Sequence, residues 1–269
     1  SRLTLLSEKE LIEINLFCIK QVKMLNKKNI IICAEPYHCS TEQSIKFVNL
    51  FKKKGADIVS LIFGEKFYSD DQLFNHFKKI HKKTNCYLLL HQQILENGIS
   101  SNPNYVYYSL KVLKRISGLK KFIAMKEDAK SEIYTKKICK KIANKMTIIT
   151  SGGGKRQWLK AAKHGCKSWL SGVSNLNPKI AIDFYKSYKS NNKTRIKMII
   201  SNIEDPFFKI KNKYGWHLTI KAFLELNKNF KRYERSPLSC LNKEEMIKCK
   251  EGVENIKIKI KTNKLENYF

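Results

Sequence analysis

Short apolar runs alternate with longer amphipathic stretches over the first two thirds of the chain. Each run is nearly continuously apolar, as is typical of a parallel strand that is covered on both faces. Six strand–helix units in succession predict an α/β fold built on a parallel sheet. The six runs lie at 29–33, 57–63, 86–91, 122–126, 146–151 and 167–171.

The intervening stretches carry helix start and stop signals. Three of them begin with a Ser-x-x-Glu/Gln capping box, in which the side chains satisfy the first free backbone amides. Asn177 before Pro178 predicts a further helix start. Gly55 and Gly165 each come shortly before a strand, where a left-handed helix terminator belongs. The capping boxes pair Ser7 with Glu10, Ser40 with Gln43, and Ser69 with Gln72.

The pattern changes after about residue 178, where only helical stretches follow. We expect helices at 178–190, 194–211, 215–227 and 242–254. The stretch 256–260 alternates Ile and Lys, which fits an edge strand or a mobile tail. The predicted division is a barrel domain at 1–191 with six recognisable strands, a C-terminal helical region at 192–255, and a tail at 256–269.

Six strand–helix units suit either a doubly wound sheet or part of an eight-stranded barrel. A doubly wound dinucleotide site needs Gly-x-Gly-x-x-Gly after its first strand, and the sequence lacks that motif. The pattern favours the barrel without excluding the open sheet.

Charge and cysteine content limit the partners. Lys and Arg number 53 against 23 Asp and Glu, a net charge of +30. Such a charge suits a polyanionic binding partner, but the cations are almost all Lys and are spread along the chain. A bias in amino-acid composition is therefore the favoured explanation of the charge, and nucleic acid is not an expected partner.

A membrane partner is not expected, because no apolar run reaches the roughly 18–20 residues of a membrane helix. Eight cysteines without a Cys-x-x-Cys pair or a zinc-ligand spacing indicate reduced thiols in the cytoplasm.

Lys126 ends the fourth apolar run, in the sequence Phe-Ile-Ala-Met-Lys-Glu-Asp. Active sites of parallel barrels lie at the carboxyl ends of the strands. Apolar neighbours such as Ala124 and Met125 desolvate an ammonium group and favour the neutral amine, which attacks a ketone to form a Schiff base. Lys126 is therefore a candidate nucleophile. From spacing alone, a solvated surface lysine is the alternative.

Two further features lie near strand ends. Three glycines precede Lys155 and Arg156, and amides and cations at a helix start suit an anion, although a tight turn with solvated cations is the alternative. Glu127 and Asp128 either orient Lys126 or cap the next helix, and we prefer capping.

The segment 122–130 resembles the Schiff-base segment of the dihydrodipicolinate synthase and N-acetylneuraminate lyase superfamily of class I aldolases. The likeness implies a TIM (β/α)8 barrel with a helical C-terminal extension, and it places Lys126 on the imine-forming lysine. It implies pyruvate or another 2-oxo acid as the substrate, and a homo-oligomer, either dimer or tetramer. Similar segments extend over most of the chain, at 40–42, 55–57, 73–77, 151–153, 215–222 and 235–238.

The resemblance also implies the remaining site residues. Ser151, Gly152, Gly153 and Leu170 fall where the family binds the substrate, with Ser151 and Gly152 at its carboxylate. No metal or organic cofactor is expected, because the lysine itself supplies the electron sink.

Departures from the family pattern are equally informative. The family places a tyrosine at the end of its fifth strand, and this chain has His91 there, which can also move protons near neutral pH. A hydrogen-bonded structural histidine is the equally favoured alternative. A substrate-binding arginine is absent from 94–97, and a second family tyrosine falls on 64–66, which reads Gly-Glu-Lys. We therefore expect a divergent member, acting on a sugar-derived or other 2-oxo acid, and not a lysine-biosynthetic synthase.

The chain start aligns just after the family's Gly-Thr-Thr motif. The first two strands and that motif are thus expected upstream of Ser1, about 40–50 residues in all at the usual length of a barrel unit. The leading hypothesis is a Schiff-base lyase or aldolase with Lys126 as nucleophile and His91 in proton transfer. A catalytically degenerate family member and a basic polyanion-binding scaffold remain as alternatives.

Overall fold

The computed structural model describes residues 5–25, 30–36, 39–62, 69–92, 108–129, 131–227, 230–265 and 268. These residues form six strands and eleven α-helices. The elements follow the order α1 (Glu8–Met24), β1 (Ile32–Ala34), α2 (Thr41–Lys54), β2 (Ile58–Ile62), α3 (Asp70–Lys83), β3 (Tyr87–Gln92), α4 (Leu110–Ile116), β4 (Phe122–Glu127), α5 (Glu132–Ile142), β5 (Thr147–Thr150), α6 (Gly154–Ala162), β6 (Ser168–Trp169), α7 (Lys179–Lys189), α8 (Lys193–Ile199), α9 (Asp205–Tyr214), α10 (Trp216–Leu226) and α11 (Lys243–Thr262).

The six strands form one parallel sheet in the order β1-β2-β3-β4-β5-β6. Each strand pairs with the next one along the chain, and right-handed crossovers between such neighbours place all connecting helices on one face. A doubly wound sheet instead reverses its strand order at a switch point. The order therefore decides between the two architectures left open by the sequence, in favour of a barrel-type sheet.

The two faces of the sheet differ in burial. Positions on the helix-covered face, such as Val59, Leu61 and Leu90, are fully buried. On the other face Ile58, Leu89 and Ala124 pack into a core cluster. At the start of the strands, however, Ile32 and Tyr87 on that same face are 50% and 56% exposed. The inner face is therefore only partly covered by the described residues.

The three predicted capping boxes are confirmed, whereas α7 begins one residue later than predicted, with Pro178 and not Asn177 in the cap position. All three serines accept the backbone amide three residues on, and the Glu or Gln at that position bonds back to the cap backbone. Gly55 ends α2 with φ of 109°, the left-handed conformation that glycine adopts without a steric penalty. These local signals fix where each crossover helix begins and ends, and so where the strand ends lie.

The chain divides into two compact units. One contains Arg2–Gly153 and Gln157–Trp169, and the other contains Leu170–Phe269 with Gly154–Arg156. The first unit carries the whole sheet. The second is helical, and the division expected at residue 191 falls inside it, between α7 and α8.

The helical stretch expected at 194–211 is confirmed, and it contains a π-helical turn at 200–204, where Pro206 has no amide to continue the regular hydrogen-bond ladder of α8 into α9. One other expectation for the helical unit is wrong. The stretch 256–260 is neither a strand nor a tail but the last part of α11. Its buried residues Val253, Ile256 and Ile260 follow helical spacing, while Ile258 is 61% exposed.

Buried polar groups in the sheet unit include Glu35, which follows β1 directly and is 1% exposed. Its Oε1 accepts the Ile62 amide at 2.9 Å, and its Oε2 has no hydrogen-bond partner. Burial raises the pKa of this carboxyl to about 8 and outweighs the hydrogen bonds from Ser44 and the Ile62 amide, which lower it. The cysteines, which the sequence predicts to be reduced, are all free thiols.

Candidate active site

Lys126 and His91 lie side by side at the carboxyl end of the sheet. The register of β3 and β4 pairs the two residues directly, and partners in a parallel ladder point to the same face. Lys126 Nζ lies 2.7 Å from His91 Nε2. Both residues therefore face the partly covered side of the sheet, next to Ile62, with which His91 is in register on β2.

Asp128 completes this cluster. Its Oδ2 lies 3.0 Å from Lys126 Nζ and 3.4 Å from His91 Nε2. The side chains of His91, Asp128 and Lys126 are 9%, 17% and 19% exposed, so the cluster is largely but not completely shielded from water. An amine, an imidazole and a carboxylate thus meet at one point that keeps some exposure to solvent.

The preference for helix capping by Asp128 is wrong. Residues two apart in extended backbone point to the same side, so a carboxylate at position 128 returns to the face of Lys126. That period-two spacing was the signal in the sequence, and it favours the alternative in which Asp128 orients Lys126 over the capping role that was preferred.

Charge interactions within the cluster favour ionised Asp128. Burial opposes ionisation of this carboxyl, but hydrogen bonds and charges from His91 and Lys126 hold its pKa well below the usual range. For His91, burial lowers the pKa and outweighs the opposing effect of Asp128. A neutral imidazole that can accept a proton therefore lies beside a carboxylate and an amine.

Glu127 points to the opposite face and anchors the strand end. Its two carboxyl oxygens accept the Ala129 amide at 2.5 Å and the Thr135 hydroxyl at 2.7 Å. The residue is fully buried, and burial raises the pKa of its carboxyl. Glu127 thus ties the loop after β4 to the first turns of α5, which fixes the backbone on both sides of Asp128.

Ser151, Gly152 and Gly153 follow β5 at the same edge. The Ser151 amide donates to the Glu127 carbonyl at 3.1 Å, which extends the pairing with β4 by one residue. All three residues are partly exposed, and the Gly153 amide is taken by the Gln157 side chain at 2.8 Å. Leu170 comes directly after β6 and is 49% exposed.

The anion site considered at Lys155 and Arg156 is wrong, because both cations already have carboxylate partners within the helical unit. Lys155 is fully buried and donates to Glu204 through its amide at 2.8 Å and through Nζ at 3.1 Å. Arg156 holds Asp205 with two hydrogen bonds. Gly154, with φ of 69°, is required before them, because a Cβ there would lie 2.7–2.9 Å from the Glu204 carboxyl group.

Two of the departures from the family pattern fall on segments for which the structure gives no description. The segments 64–66 and 94–97, where the sequence departs from the family, lie outside the described residues. Within the described part of the chain, no group of three or more His, Cys, Asp or Glu is arranged to hold a metal ion. In the same part, none of the helices has the length and apolar character needed to cross a membrane.

The fold and the cluster together define an α/β protein with titratable groups at the carboxyl ends of parallel strands, where barrel enzymes hold their active sites. A model of the dihydrodipicolinate synthetase family matches residues 4–256. The chain therefore belongs to this family, as its sequence indicated.

Curated relatives are distant and longer. The 4-hydroxy-tetrahydrodipicolinate synthase of Ehrlichia canis (strain Jake) is 26% identical over 174 residues, which are 64% of this chain and 55% of the relative. The synthase of Anaplasma marginale (strain Florida) is 23% identical over 177 residues, 65% of this chain and 54% of the relative. The match thus spans about half the length of these relatives.

Solved structures share the fold. The 4-hydroxy-tetrahydrodipicolinate synthase from Methylacidiphilum fumariolicum SolV superposes with a TM-score of 0.79 at 20% identity, over 96% of this chain and 82% of that one. A prophage protein of the dihydrodipicolinic acid synthase family from E. coli K12, solved in complex with pyruvate, gives a TM-score of 0.77 at 13% identity, over 94% and 82%. At such identities the likeness establishes the fold alone.

Proposed function

We propose that this chain carries the active site of a Schiff-base lyase or aldolase that acts on pyruvate or another 2-oxo acid. The observation that carries the proposal is the 2.7 Å contact between Lys126 Nζ and His91 Nε2 at the carboxyl end of the parallel sheet. Membership of the dihydrodipicolinate synthetase family and curated relatives that are synthases support the same class of reaction.

The chemistry begins at the amine of Lys126. In its neutral form it attacks the ketone carbon, and the former carbonyl oxygen takes up a proton to give a carbinolamine. A proton delivered through His91 then lets the hydroxyl leave as water, and the nitrogen lone pair forms an iminium. The iminium accepts the electron pair of a breaking C–C bond, which is the cleavage reaction, or of a breaking C–H bond. The enamine formed in the second case can add to another carbonyl compound in a condensation or expel a leaving group in a dehydration.

Substrate binding is assigned to the loop after β5 and the end of β6. Ser151 and Gly152 follow the strand next to Lys126, and we place the substrate carboxylate against them, with Gly153 completing the turn. Leu170, which directly follows β6 and is half-exposed, is proposed as a substrate-binding residue on the family resemblance alone. The absence of an arginine at 94–97 in the sequence supports a sugar-derived or other 2-oxo acid over the substrate of a lysine-biosynthetic synthase.

We further propose that the six strands form part of a TIM (β/α)8 barrel. Half-exposed Ile32 and Tyr87 on the inner face of the sheet, and the longer chains of the superposed structures, support this placement. We further propose a cytoplasmic dimer or tetramer. Ile14 and Phe17 on α1, which are 51% and 61% exposed, are apolar surface of the kind that subunit contacts bury.

Borohydride reduction in the presence of pyruvate tests the proposed function. Intact mass spectrometry of the wild-type chain should show one added pyruvate, less water and plus two hydrogens. Lys126→Ala should show no adduct and no turnover, while circular dichroism shows that its fold persists.

A matched control is Lys121→Ala, at the residue directly before the start of the same strand. Lys121 binds the carbonyls of His81 and Thr84, so its loss affects stability and leaves the adduct in place. An adduct or normal turnover in Lys126→Ala would overturn the assignment. A folded wild-type chain that never forms an adduct would favour a catalytically degenerate family member.

A further inference from the structure

Asp128 makes contacts that the proposed reaction has not yet used. We propose that Asp128 and His91 form a proton relay on Lys126, in which the carboxylate pairs with whichever of the two groups carries the proton. This inference rests on the proposed function, because the relay acts on the amine that forms the imine. It assigns Asp128 a catalytic role, since its Oδ2 lies 3.0 Å from the reacting nitrogen.

A single imidazole nitrogen faces both partners. His91 Nε2 lies 2.7 Å from Lys126 Nζ and 3.4 Å from Asp128 Oδ2. While Lys126 is an ammonium group, Nε2 must accept a hydrogen bond from it, so the imidazole carries its own hydrogen on Nδ1. The ammonium then donates one N–H to Nε2 and another to Asp128.

Proton transfer from Lys126 to His91 changes which of the two cations pairs with Asp128, and the positive charge stays next to the carboxylate throughout. When the proton moves from Nζ to Nε2, Lys126 becomes the neutral amine that attacks the ketone, and His91 becomes an imidazolium. Its new Nε2–H points to the nearest carboxylate oxygen, Asp128 Oδ2. A negative charge next to both positions lowers the cost of moving the positive charge between them in a shielded site.

The return step closes the cycle. The imidazolium donates its proton to the carbinolamine hydroxyl, the C–O bond breaks, and water leaves with both electrons of that bond. The iminium nitrogen of Lys126 then takes the place of the ammonium as the positive partner of Asp128. The protein supplies one proton to the leaving water and takes one from Lys126, so no further reactant is needed.

Within the described residues, few other charged groups affect this cluster. The pKa of His91 depends on burial, Asp128 and Lys126, and that of Asp128 on burial and the same two neighbours. Glu127 on β4 acts weakly from the other face, where Ala129 and Thr135 hold its carboxyl group. The titration of His91 therefore reports on Asp128.

The test measures the rate of borohydride-trapped pyruvate adduct formation against pH. In the wild-type chain the rate should fall on the acid side as His91 becomes protonated and can no longer accept a proton from Lys126. His91→Gln should lose that acid limb and react about 100-fold more slowly, the usual size of a general acid–base contribution.

Asp128→Asn removes the charge and keeps the shape. Since Asp128 raises the pKa of His91, the acid limb should move to lower pH, and the maximal rate should drop about tenfold or more. Asp128→Glu keeps the charge, so the pH at which the rate falls on the acid side should return towards its wild-type value. Asp71→Asn serves as the control, because this exposed carboxylate pairs only with Arg115 among the ion pairs of the described chain, and both limb and rate should stay unchanged.

The outcomes separate the relay from the proposed function. An adduct in the wild-type chain, with the same acid limb and rate in Asp128→Asn, overturns the relay and leaves Lys126 as the nucleophile. No adduct in the wild-type chain overturns the proposed function itself. Circular dichroism of each variant shows whether a lost rate reflects lost structure.

Discussion

Removing the cation of the buried Lys155–Glu204 pair should strongly destabilise the helical unit. The two side chains are 0% and 3% exposed, so water does not screen the carboxylate when Lys155→Met leaves it alone. Glu204 would keep the 2.8 Å bond from the backbone amide of residue 155 and lose the 3.1 Å bond from Nζ. Breaking a buried pair in this way costs about 3–5 kcal/mol in the free energy of unfolding.

The neighbouring pair offers a matched control on the same two helical segments. Arg156 and Asp205 are bonded as directly, but their side chains are 61% and 37% exposed. Arg156→Met should therefore cost no more than about 1 kcal/mol. The double variant Lys155→Met/Glu204→Gln should be far less destabilised than the sum of its single changes, because no unpaired buried charge remains.

Urea unfolding followed by circular dichroism measures all of these free energies. Equal losses in Lys155→Met and Arg156→Met would refute the reasoning, because burial would then make no difference. Additive losses in the double variant would refute it as well, since they would show that the two buried groups do not interact.

Three further changes test other parts of the structure. In the wild-type chain, Glu35 with its pKa raised from 4.5 to about 8 binds a proton more tightly when folded, so its contribution to the free energy of unfolding is present in acid and lost as pH rises through about 8. Glu35→Gln should lack this decline, as urea unfolding at about pH 5 and about pH 9 would show. Ser69→Ala removes the 3.1 Å cap of the Gln72 amide and should cost about 1 kcal/mol in a urea titration. Gly154→Ala forces a Cβ within 2.9 Å of the Glu204 carboxyl group at a positive φ and should lower stability by about 1 kcal/mol or more in a thermal melt.

The strands were predictable because their signal is local. Residues 57–63 and 122–126 are nearly continuous apolar runs between helix ends and caps, and each contains or overlaps an observed strand. The same locality made the capping box at Ser69 predictable. The order of strands in the sheet is not a local property, so the structure was needed to separate a barrel-type sheet from a doubly wound one.

The sequence-based predictions were wrong in two situations. In one, the same spacing of apolar residues fits both a strand and a helix, and in the other, an ion-pair partner lies far away in the sequence. Alternating Ile and Lys at 256–260 has the period of a strand, but Val253, upstream of the alternation, places Ile256 and Ile260 on a buried helical face. Lys155 resembled a free cation in the sequence because Glu204, its partner, lies 49 residues further on.

The candidate site was only partly predictable. Its place at a strand end made Lys126 a candidate, and the family resemblance selected it over a surface lysine. Its pairing with His91 follows from strand register, which the sequence does not give directly. Asp128 carried a usable signal, since it lies two residues after Lys126 and so returns to the same face.

Peptide mapping of the borohydride-reduced pyruvate adduct is the sharpest test of Lys126 as the Schiff-base nucleophile. We expect the added mass on Lys126, in the peptide that contains β4, and on none of the other lysines of this lysine-rich chain. Label spread over exposed lysines, or fixed on a single lysine elsewhere, would contradict the assignment of Lys126.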